Sequence, residues 1–119
     1  MARNMSFMLT TEQFLRQTKT VTRRLGWEFL KVGDILNGCE KCQGLKKGEK
    51  IVKLGQIRVT DVGREQLCKI TRADVEREGF PGMEKWTFID FFCNEMKVAP
   101  QTIVTRIEFE YVESDRGNS

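Results

Sequence analysis

Lys19-Thr20-Val21-Thr22-Arg23-Arg24 puts three cations and two hydroxyls within six residues. Such a set can hold an anion, since Arg presents a planar fork of donors and Lys a point charge that burial can deprotonate. A Thr hydroxyl can also attack an acyl carbon once a base has taken its proton. The chain contains no His, which removes the usual triad base, imidazole zinc ligands and imidazole pH switching. Catalysis must therefore run on Lys, Thr, Glu, Asp or Cys. The alternative reading of the segment is an exposed strand whose long aliphatic stems cover the core.

Other residues carry weaker signals. Trp27 follows Gly26 beside the basic segment, where it can stack on a base or plug the mouth of the fold. Gly44-Leu-Lys-Lys-Gly48-Glu-Lys50 lacks the Gly-Lys-Ser/Thr ending of a phosphate loop, although Lys46 and Lys47 can touch a nucleic-acid backbone in a salt-sensitive way. Cys39-Glu-Lys-Cys42 supplies two of the four ligands a tetrahedral metal needs, and Cys68 and Cys93 are single. We therefore expect free thiols, no metal and no cofactor, with Cys68 and Cys93 in the core.

The 119 residues fit one domain, expected over 1–119 with a core of about 9–112, a short lead and a frayed tail. No run approaches the roughly 18 apolar residues needed to cross a bilayer, so no membrane contact and a cytoplasmic address are expected. The net charge is +3, but residues 1–60 carry 12 Lys+Arg and 5 Asp+Glu, while residues 61–119 carry 8 and 12. The first half is thus a candidate phosphate-facing surface; a solvated face of mixed charge is the plainer reading.

Local patterns give the elements. Thr10 with Gln13 predicts a helix over 11–17, and the alternating KTVTRR segment predicts a strand over 19–24. Lys31-Val-Gly-Asp34 is a turn into a strand over 35–41, and a hairpin tip over 44–50 leads to a strand over 51–62, with Gly55 as a bulge position. Thr71 with Asp74 caps a short helix that Gly79 ends. Trp86, Ile89, Phe92, Cys93 and Met96 mark an amphipathic helix over 84–96, and alternation of Thr105, Ile107, Phe109 and Tyr111 marks a final strand. The expected fold is α+β: a small barrel or strongly curved sheet with three short flanking helices.

KTVTRR after a short helix, then Lys-Val-Gly-Asp, then Arg77-Glu-Gly-Phe80 and the Ile107-Glu-Phe109 strand resemble, in order and spacing, the ASCH domain of the PUA-like superfamily. The likeness runs from about Leu9 to Val112, and is nearest to small stand-alone bacterial and phage proteins. It implies a β-barrel with a cleft facing KTVTRR that binds RNA, a nucleotide or a modified nucleoside through Lys19, Thr20, Arg23, Arg24, Trp27, Lys46 and Lys47. One bacterial branch is an amidohydrolase that deacetylates N(4)-acetylcytidine; the matching catalytic positions are Lys19, Thr22 and Glu78. The Lys-rich hairpin and the bulky helix depart from that pattern. Three readings follow: a nucleic-acid or nucleotide binder, an amidohydrolase, and a protein-interaction adaptor with an inert cleft. The enzyme reading carries a geometric condition, because residues three apart on a regular strand point to opposite faces. Lys19 and Thr22 must therefore be joined by a bend.

Overall fold

The computed structural model describes residues 3–42 and 47–113. Five strands form one sheet: β1 (Arg3–Ser6), β2 (Val21–Arg24), β3 (Ile35–Cys39), β4 (Lys53–Gln66) and β5 (Ile103–Val112). Their spatial order is β1-β3-β4-β5-β2, with β1 and β3 parallel and the other pairs antiparallel. Three helices, α1 (Thr11–Leu15), α2 (Arg72–Arg77) and α3 (Lys85–Met96), flank the sheet. The sheet curls into a half-barrel, the α+β architecture expected from the sequence.

Two bulges accompany the curl. On β4 the register steps from Gly38↔Gly55 to Cys39↔Lys53, leaving Leu54 extra beside the expected Gly55 position. It steps again from Val59↔Phe109 to Asp61↔Glu108, leaving Thr60 extra. An added residue bends a strand and increases its twist, so a 14-residue strand can wrap rather than run flat.

Side-chain alternation on β5 gives the sheet two covered faces. Ile107 and Phe109 point into a core with Met5, Phe7, Phe14, Leu36, Ile57 and Val59. Val104 points the other way, into a second core with Leu67, Ile70, Val75, Phe88, Ile89 and Phe92. Arg106 shares the face of Val104, and ion-pairs to Asp74 on α2. The helical pair is therefore held to this face by apolar packing at one end and by charge at the other.

Local signals account for α2 well. The Thr71 hydroxyl accepts the Asp74 amide at 3.1 Å, and Gly79 ends the helix at φ 109°. The other helices differ from expectation. Helix α1 stops at Leu15 rather than Gln17, because Gln17 turns left-handed at φ 59°. On α3 the buried stripe is Phe88, Ile89 and Phe92, while Trp86 is 55% exposed. Trp86 lies about 160° around the helix from Phe88 and about 60° from Ile89, at the outer rim of that stripe. Cys68 and Cys93 are partly buried against that core, and Cys39, Cys42, Cys68 and Cys93 are free thiols. Strand β1 is absent from the sequence-based order; its single core residue, Met5, gives no periodicity to read.

Candidate functional site

Strand β2 is an edge: it pairs with β5 on one side only. Along its free edge lies a pocket of about 220 Å³ lined by Lys19, Thr22, Arg23, Arg24 and Glu78, by the chain after β1 from Ser6 to Thr10, and by Phe80 with residues of α3. Lys19 and Thr22 both line this pocket. The strand begins at Val21, so Lys19 precedes it, and a groove beside an edge can be reached from both faces. The lead-in is fixed by the Thr20 amide donating to the Arg77 carbonyl at 2.8 Å, and by the Tyr111 hydroxyl donating to the Lys19 carbonyl at 2.5 Å.

Lys19, Thr22 and Glu78 are each 3% exposed. The Lys19 Nζ donates to Glu78 Oε1 at 2.8 Å and to the Glu78 carbonyl at 2.9 Å. Removal from water lowers the Lys19 pKa, and the Glu78 carboxylate opposes the fall. Glu78 reaches this position because Gly79 turns the chain sharply at the end of α2; it is the C-terminal cap, buried rather than solvated.

A second set of charges stands behind this pair. Arg23 donates from Nη1 to Glu78 Oε2 at 3.1 Å, from Nη2 to Asp74 Oδ2 at 2.6 Å, and from Nε and Nη2 to Glu65 Oε2 at 3.1 and 2.7 Å. Arg106 donates from Nε to Asp74 Oδ2 at 2.7 Å and from Nη2 to Asp74 Oδ1 at 3.2 Å. Burial alone raises the Asp74 pKa, but the hydrogen bonds from Arg106 and Arg23 outweigh it and hold the carboxyl at about 2. Glu78 is thereby held through both oxygens, one on each cation. From local pattern Asp74 reads as a capping residue only, and Glu65 and Arg106 carry no site role; partners this remote in the chain leave no local signal.

Arg24 is placed differently from its neighbours. Its Nε donates to Thr22 Oγ1 at 3.1 Å, and its guanidinium carbon lies 4.8 Å from the centre of the Phe7 ring. This contact joins the β2 edge to the chain following β1, across the open side of the half-barrel. Burial pulls the Arg24 pKa down to about 10.

Thr20, Trp27 and Lys47 do not line this pocket. Thr20 serves through its backbone. Trp27 is half-buried against the first core and packs on Phe29 with ring centres 5.5 Å apart. Lys47 is exposed, and Lys46 lies outside the described residues. The apolar wall formed by Phe80, Phe88, Phe91 and Phe92 was not anticipated from the sequence, where only Phe92 stood in the apolar helix stripe. Cys39 is buried, and burial together with its interaction with Cys42 pushes its thiol up to about 11. Among the described residues no group of three His, Cys, Asp or Glu side chains is arranged to hold a metal ion. Nor is any helix among them long and apolar enough to cross a membrane.

No protein-family model and no curated protein matches the chain. Solved structures do. A protein from Enterococcus faecalis V583 assigned to the family DUF984 superposes with a TM-score of 0.63 at 18% identity, over 93% of this chain and 79% of that one. An ASCH domain from Lactobacillus crispatus JV V101 superposes with a TM-score of 0.61 at 16% identity, over 92% of this chain and 78% of that one. Coverage of nearly the whole chain, together with the curled mixed sheet, gives the conclusion that this chain has the ASCH-type, PUA-like fold.

Proposed function

We propose that the pocket is the active site of an amidohydrolase that removes an acyl group from an exocyclic amine of a nucleobase, with N(4)-acetylcytidine as the model substrate. The observation that carries this reading is the buried contact of Lys19 Nζ with Glu78 Oε1 at 2.8 Å, on the same pocket wall as Thr22. A pocket of about 220 Å³ has room for a base bearing a small acyl group rather than for a tract of polymer.

In this mechanism Thr22 Oγ attacks the acyl carbon, and the carbonyl electron pair moves onto oxygen. Lys19, made a weaker proton holder by burial, passes one of its own protons to Glu78 Oε1 and takes the Thr22 hydroxyl proton in its place, so that Glu78 ends protonated. Collapse of the intermediate re-forms the carbonyl and breaks the C–N bond, and the departing amine takes that proton. The acyl group is left as an ester on Thr22. Water, deprotonated by the same pair, then attacks the ester and releases the carboxylic acid and free Thr22.

The test is the change in ultraviolet absorbance as N(4)-acetylcytidine becomes cytidine. Wild type is expected to turn over, and folded Thr22→Ala and Glu78→Gln variants to lose at least 100-fold in kcat, the scale of a lost general base or nucleophile. Absence of turnover by folded wild type on this compound and on other N-acyl cytidines defeats the reading.

A second reading, binding of an RNA base or nucleotide without turnover, is favoured by the Phe80, Phe88, Phe91 and Phe92 wall, since aromatic faces accept stacked bases. It predicts affinity that survives Thr22→Ala and weakens as salt rises.

A further inference from the structure

The three cations of the pocket wall are not equivalent. Lys19 spends its charge on Glu78. Arg23 is shared among Glu65, Asp74 and Glu78. Arg24 forms no ion pair at contact distance among the described residues: its direct contacts are the Thr22 hydroxyl oxygen and the Phe7 ring, and the Glu78 carboxylate acts on it only at longer range. Its Nε is committed to Thr22 Oγ1, which leaves the Nη hydrogens without a hydrogen-bond partner among the described residues. The other charged lining residue, Glu95, stands near the end of α3 and is exposed.

A half-buried guanidinium with no carboxylate hydrogen-bonded to it keeps donors free for an incoming negative charge. Its position says where that charge develops. An acyl carbon attacked by Thr22 Oγ lies within about 3 Å of that oxygen, and Arg24 Nε is 3.1 Å from the same oxygen. The carbonyl oxygen of such a group therefore comes within reach of the free edge of the guanidinium. A phosphate on the ribose of a cytidine nucleotide stands far from the exocyclic amine and is a poorer match for this donor.

We propose that Arg24 is a catalytic residue of the hydrolysis, donating through Nη to the oxyanion formed when Thr22 attacks. The inference rests on the amidohydrolase reading above. The attack of Thr22 Oγ forms the O–C bond and shifts the carbonyl pair to oxygen; Arg24 receives that negative charge as a hydrogen-bond donor and transfers no proton. Donation from Nε to Thr22 Oγ1 also favours the ionised hydroxyl, so one side chain steadies the nucleophile and the intermediate. Preorganised donors of this kind are effective because they do not reorient as charge develops. Lys19 is less suited to the task, because it already donates to both Glu78 Oε1 and the Glu78 carbonyl.

The experiment is steady-state turnover of N(4)-acetylcytidine by wild type, Arg24→Lys and Arg24→Ala, with thermal melting of each. The expected result is a fall in kcat of about 100-fold or more in Arg24→Ala with KM changed only a few-fold, the pattern for a lost oxyanion donor. Millimolar methylguanidinium is expected to restore part of that rate in Arg24→Ala and none in Thr22→Ala. Arg24→Lys keeps a cation over Phe7, and is expected to fold as wild type yet lose at least tenfold in kcat. Wild-type turnover with kcat unchanged in Arg24→Lys or Arg24→Ala, or with KM alone affected, overturns this assignment and leaves the amidohydrolase reading intact. Lack of turnover by wild type overturns both.

Discussion

The Lys19 ammonium and the Glu78 carboxylate are 59 positions apart in the chain and 2.8 Å apart in the fold, each with a side chain only 4% exposed. Their union ties the lead into an edge strand to the end of a short helix. It also creates an imbalance that single substitutions will expose, because a buried charge that loses its partner keeps its desolvation cost.

Lys19→Met and Glu78→Gln are each expected to destabilise the protein by about 3–5 kcal/mol, the usual cost of leaving one member of a buried ion pair unpaired. The double variant is expected to cost clearly less than the sum, since no orphaned charge remains at this pair. Urea unfolding of the four proteins measures the coupling. Additive losses would mean that the pair does not act as a unit.

Asp74 links stability to acid. Its carboxyl is held at about 2, against an ordinary value of 3.8. A depressed carboxyl contributes stability that is fully present above pH 3.8 and is lost as pH falls through about 2. The contribution is on the order of 2 kcal/mol, from about 1.4 kcal/mol per pH unit. Acid titration of wild type and Asp74→Asn is the check: the variant should be less stable at neutral pH, and the difference should shrink as the pH falls from 4 to 2. A constant difference over that interval would assign the linkage to other carboxyls.

Gly79→Ala tests how Glu78 is aimed. At φ 109° the backbone resists a side chain, and an added Cβ would lie 2.7 Å from Gln13 Cγ and 2.9 Å from Gln13 Cβ. Because Gln13 Cβ is itself fixed to α1, the clash cannot be relieved by swinging the side-chain end alone. A loss of about 1–3 kcal/mol is expected, with a fall in kcat larger than in KM as Glu78 shifts. Thermal melting and kinetics together read both effects, and a wild-type melting profile would contradict the packing argument.

Local residues carried much of the architecture. The Thr71–Asp74 cap and the terminal Gly79 announce α2 because capping is settled within one or two turns of chain. The alternation over Ile107 to Tyr111 announces β5, and a glycine at position 55 marks the vicinity of one bulge. The misreadings are equally specific. Trp86 matches the helical step of its neighbours, but which face of a helix is covered depends on where the sheet lies. Strand β1 owes its existence to parallel pairing with β3, a contact for which four residues of mixed polarity provide no period.

The groups on hand for chemistry are legible from the chain: no His, Lys19, Thr22 and Arg24 in one segment, and an acid ahead of a helix-ending glycine. Which of the clustered cations are already neutralised by carboxylates depends on the folded arrangement. Arg23, adjacent to Arg24 and indistinguishable from it by type, points across the sheet to Glu65, Asp74 and Glu78, while Arg24 meets Thr22 and Phe7. Strand alternation separates the two side chains, and partners tens of residues away then set the charge environment of each.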